Sequence, residues 1–142
     1  MTNFIHLLQR AHTLPLSEQT EFLREVLSRM LRENGFKIRK AKDPIPKTGT
    51  LVVIGVAPYS GADLGLLDAI LEGFALGKAQ RSEIEVFDVL SCQQMSDLSE
   101  YIPGIGNAYQ TPIVGIWKDG VMSECASGAH AHKLLQDRFH LG

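Results

Sequence analysis

Cysteine is scarce in this 142-residue chain: Cys92 and Cys125 are the only two, and they lie far apart. That spacing excludes a disulfide scaffold and suits a cytoplasmic location. No apolar run approaches the roughly 18 residues of a membrane span, so no membrane partner is expected. Neither sign of charge dominates, with 14 basic against 16 acidic residues, which removes any general pull toward nucleic acid or anionic lipid. The opening MTNFIHLLQRAH lacks the basic flank and long apolar region of a secretory leader. Internal repeats and low-complexity segments are also missing. What is present is 44% hydrophobic and 21% charged, a globular composition with enough length for a single domain over residues 1–142.

Periodicity supplies the elements. Ser17 offers an N-cap oxygen to a helix in which Phe22, Leu23, Val26, Leu27, Met30 and Leu31 recur at three- and four-residue spacing. Asn34-Gly35 ends it. Residues 1–12 add a short helix through Phe4, Ile5, Leu7 and Leu8. Phe36 to Lys42 reads as a short strand, closed by Asp43-Pro44-Ile45-Pro46. Its Lys37, Arg39, Lys40 and Lys42 read as a lysine-guarded sheet edge; the sharper alternative is a patch for an acidic partner. No aromatic residues interleave, so nucleic acid is not the expected partner.

From residue 50 the chain alternates. Leu51 to Val56 is a strand buried on both faces, Leu64 to Leu76 a helix with Leu67, Ile70, Leu71 and Phe74 inward, and Ile84 to Val89 a strand. Met95 to Tyr101 is a short helix. Pro112–Trp117 and Val121–Ala126 are strands joined by an Asp119-Gly120 hairpin, and Ala129–Phe139 is a helix with Leu134 and Leu135 inward. This predicts an α/β fold with a mixed sheet, residues 1–46 forming a helical and basic extension to a core at 50–140.

The turn APYSGAD, residues 57–63, sits between an apolar strand and a helix and holds no cysteine. Ser60-x-x-Asp63 has capping-box spacing: the hydroxyl accepts from the Asp63 N–H while the carboxylate reaches back, and the acid suits the helix dipole. Ser60 as a nucleophile with His130 lacks a base held by a third group. His130 and His132 point opposite ways on a helix, so neither metal nor other cofactor is expected. The glycine-rich PGIGNAYQ, residues 103–110, lacks the setting of a phosphate loop. Cys125, in a strand, is expected to be packed.

In LVVIGVAPYSGADLGLLDAIL, FDVLSCQQMSDLSEY and TPIVGIWKDGVMSECASGAH, the chain resembles the thioredoxin family: its strand, active-site turn and helix; its third strand and helix; and its threonine-proline strand, hairpin and glycine loop. The resemblance covers about residues 50–140. It implies a three-layer thioredoxin-like fold, with a central mixed sheet of four or five strands, helices on both faces and an additional N-terminal helix. It also implies a cis Thr111-Pro112 bond beside a groove in which family members hold an extended peptide. Tyr59, Ser60, Asp63, Ile105, Tyr109, Thr111, Pro112 and Gly128 would border that groove.

The family's two cysteines fall on Ser60 and Asp63, and its supporting aspartate and lysine on Ile54 and Ile84, so dithiol chemistry is not implied. Cys92 matches an additional cysteine of some members, where a helix N-terminus would lower its pKa and make it a reactive thiol. The expectation is a redox-inactive binding or adaptor module for a protein or peptide segment, not an enzyme. The alternatives are a monothiol protein or sensor using Cys92, a structural subunit of a larger assembly, and a homodimer through residues 17–34.

Overall fold

The apolar run after Gly49 becomes the central strand because both of its faces are covered. In the computed structural model, which describes residues 3–106 and 110–141, the strands are β1 (Lys37–Ile38), β2 (Thr50–Val56), β3 (Ile84–Asp88), β4 (Ile113–Lys118) and β5 (Val121–Ser127). They form one mixed sheet in the order β1-β3-β2-β4-β5. β3 runs parallel to β1 and β2, while β4 is antiparallel to β2 and to β5. The helices are α1 (Leu7–Ala11), α2 (Leu16–Glu33), α3 (Gly61–Ala75) and α4 (Ala129–Phe139). The α/β alternation is therefore as read, with α3 starting at Gly61 rather than Leu64.

The faces are covered unequally. Val52, Ile54, Val56, Ile84, Val86, Val114 and Ile116 join one core with the apolar sides of α2, α3 and α4. The other face, through Leu51, Val53, Phe87, Ile113 and Trp117, packs on Leu98, Ile102 and Ile45. Among the described residues its helical cover is 3-10 in geometry, Val89–Ser91 and Met95–Glu100, the latter in place of the expected helix over 95–101. Helices on both faces are thus present in reduced form.

The segment preceding the core, described from residue 3, is built into it. Phe4 and Leu7 are fully buried, and the Asp68 carboxylate of α3 accepts from the backbone N–H of Phe4 (2.6 Å) and Ile5 (3.0 Å). It supplies, from 64 residues away, the cap that local sequence does not. The Asp119-Gly120 hairpin forms as its residues require, with positive φ at both (51° and 83°). Asp119 then clamps the approach to β2, exchanging hydrogen bonds with Gly49.

The basic cluster needs correction. Arg39 is buried, its guanidinium bound to the Glu85 carboxylate at 2.9 Å, to the Asp43 carbonyl at 2.7 Å and to the Tyr101 carbonyl. Lys37, Lys40 and Lys42 stay exposed, Lys37 pairing with Glu85 at 3.3 Å. β1 is indeed a short edge strand, but its arginine is an internal strut. Among the described residues, no helix is long and apolar enough to cross a membrane.

Candidate functional site

Strand β2 ends at Val56, and the chain turns through the buried Ala57 and Pro58-Tyr59-Ser60 into α3. Ser60 is the N-cap: its Oγ accepts from the Asp63 N–H at 3.2 Å, while its own N–H returns to the Ala57 carbonyl at 3.0 Å. The reciprocal half of the capping box does not form. Asp63 is fully buried and turns its Oδ2 to the Ala57 N–H at 2.8 Å; among the described residues its Oδ1 has no hydrogen-bond partner. The Ala57 amide is enclosed by protein, whereas the Ser60 N–H already has its acceptor, so the carboxylate goes where a buried donor needs it. Asp63 therefore braces the turn from beneath instead of facing a groove.

Above this turn lies a groove of about 280 Å³, lined by Tyr59, Val89, Cys92, Gln93, Gln94, Met95, Leu98, Gln110, Thr111 and Ile113. It brings together Tyr59, Cys92 and Thr111 from three separate segments. The Thr111-Pro112 peptide is cis; Pro112 is buried and Thr111 half-exposed. Among the described residues, the Thr111 backbone N–H and carbonyl make no hydrogen bond. Tyr59 and Met95 rim the groove at 61% and 38% exposure.

Gly128 is not among the lining residues but packs against Gln110, which is. Its N–H donates to the Pro112 carbonyl at 2.8 Å, and its φ of 64° opens α4. A Cβ there would push the Gln110 side chain aside, and the positive φ is what requires glycine. Ser60 is half-exposed in the turn itself. Ile105 packs instead against the core on the helix-poor face, and Tyr109 lies outside the described residues. The sequence reading missed Val89, Gln93, Gln94, Met95, Leu98 and Gln110. Only the three-residue spacing of Met95 and Leu98 hinted at a shared face.

The thiol expectations also change. Cys92 ends a single 3-10 turn at Val89–Ser91 and precedes the next helical segment, whose cap is Gln94, so no helix N-terminus is aimed at its sulfur. Burial first, then the charges of Asp97, Glu100 and Asp88, push its pKa up to about 11. A thiol raised from 9.0 to about 11 has roughly a hundredfold less thiolate at neutral pH. In a Cys125→Ser protein, iodoacetamide labelling of Cys92 is expected to be slower by about tenfold, the lost thiolate being partly offset by its greater nucleophilicity, and still rising at about pH 10; saturation near pH 9 would contradict it. Cys125 is exposed on β5, not packed, because β5 is a sheet edge whose outer residues lack cover.

His130 is exposed on α4 and does not line the groove. Among the described residues, no group of three or more His, Cys, Asp and Glu side chains is disposed to hold a metal. A larger cleft, about 800 Å³, opens between α2 and residues 38–41. Glu21, Glu25 and Lys40 all line it, and Arg24 is held by Asp88 at 2.8 Å, so it shows no field of one sign. No protein-family model matches the chain, and no curated protein sequence matches it significantly.

Proposed function

We propose that this chain is a redox-inactive, thioredoxin-like binding module that holds an extended segment of a partner protein in the groove beside Pro112. The observation that carries this reading is the groove itself: an open, largely apolar trough next to a Thr111 backbone that has no hydrogen-bond partner among the described residues, where a strand-like peptide finds both main-chain hydrogen bonds and a side-chain pocket. The sheet order and the cis bond at Thr111-Pro112 support the thioredoxin-like layout. Ser60 and Asp63 stand where a dithiol would be needed, and both are engaged in holding the turn.

Such binding needs no thiol. With both thiols removed as Cys92→Ser/Cys125→Ser, the otherwise wild-type protein is expected to retain a partner in a native pull-down, and the addition of Tyr59→Ala to lose it by about tenfold or more, the scale of a central aromatic anchor. Equal retention by both proteins would move the interface to α2. Loss on removing the thiols alone would favour the monothiol reading.

A further inference from the structure

Among the described residues, no side chain lining the groove is charged at neutral pH. Its floor is aliphatic, through Val89, Leu98 and Ile113, and its rim supplies amides and a hydroxyl. A charged anchor entering it would lose hydration without gaining an ionic partner. A volume of about 280 Å³ suits one or two large apolar side chains rather than a long polar one.

Three carboxylates lie within electrostatic reach of this neutral trough, Asp97 bound to its lining residues Gln93 and Gln94. Asp88 is bound by Arg24 at 2.8 Å. Asp97 and Glu100 have no ion pair among the described residues; Asp97 accepts only from the backbone N–H groups of Gln93 and Gln94, at 3.2 Å each. Both are half-buried beside the groove wall, where screening by salt is incomplete. Burial first, and after it the charges of Asp97, Glu100 and Asp88, raise the Cys92 pKa in the same groove.

We propose that the groove takes an extended segment carrying one aliphatic or aromatic anchor flanked by lysine or arginine, and disfavours acidic segments. This rests on the groove reading above. The apolar floor holds the anchor, while Asp97 and Glu100 attract flanking cations and repel flanking anions, so charge sets the choice between partners.

The test uses three labelled, acetylated peptides of equal length with a central leucine and flanking serine, lysine or glutamate. Each is titrated into the full-length protein by fluorescence anisotropy at low and high salt. The lysine peptide is expected to bind about fivefold more tightly than the glutamate peptide at low salt. Added salt, or the Asp97→Asn/Glu100→Gln protein, should shrink that ratio toward one. Equal binding of all three, each lost in Tyr59→Ala, would overturn the charge preference and leave the groove reading standing. If no peptide binds, or binding survives Tyr59→Ala, both fall.

Discussion

Arg39→Met is expected to lower the unfolding free energy by about 3 kcal/mol or more, because it removes one partner of a buried ion pair. The Arg39 side chain has 0% exposure and that of Glu85 9%. Three acceptors lose their donor together: the Glu85 carboxylate and the carbonyls of Asp43 and Tyr101. Lys37 remains 3.3 Å from Glu85 but is 68% exposed, so it compensates only weakly. A midpoint fall on the order of 10 °C follows for a domain of this size. Thermal unfolding followed by circular dichroism measures it, and a loss under about 1 kcal/mol would refute the strut. Arg39→Met with Glu85→Leu should recover much of the loss, since no charge is then left alone. Arg39 also anchors Tyr101, directly after the segment that carries Met95 and Leu98, so the single variant should weaken the groove wall as well.

Asp63→Ala should cost about 2 kcal/mol, the scale of an enclosed donor left without its acceptor. The donor is the Ala57 N–H, held at 2.8 Å in a fully buried setting. Asp63→Asn retains an acceptor of the same shape and is expected to cost about half as much, its amide nitrogen then occupying the place of the unpartnered Oδ1. Hydrogen exchange at the Ala57 amide distinguishes local from global loosening: its protection should fall more than that of the β2 interior in the alanine protein. Unchanged protection at Ala57 would show that the brace is not Asp63. Tyr59 lies two residues beyond Ala57, so the alanine protein should also bind groove peptides more weakly.

Both effects sit at residues whose roles the sequence described only in part. The Ser60 cap was readable because its donor lies three residues away, within one helical turn. The same four-residue pattern suggested that Asp63 would reach back to Ser60, and it reaches Ala57 instead. Arg39 stood in a basic run that looked like a solvated edge, yet its ion-pair partner is 46 residues distant. Cys92 looked activatable from its place before a helical pattern. The next helix is capped two residues later, and carboxylates set the local field.

By itself, then, the sequence determined the periodic features: the buried central strand, the α2 and α3 helices, the Asp119-Gly120 hairpin and the absence of a dithiol at Ser60 and Asp63. Each is written in spacings of a few residues, the range over which backbone geometry couples neighbours. Tertiary structure alone decided that α2 shares a face with α3 and α4, that Asp68 caps Phe4 and Ile5, that Arg39 goes inside, and that Met95, Leu98 and Gln110 meet Tyr59 around one trough. Those outcomes depend on chain segments tens of residues apart competing for the same buried volume and the same unsatisfied donors, and no local pattern records which of them wins.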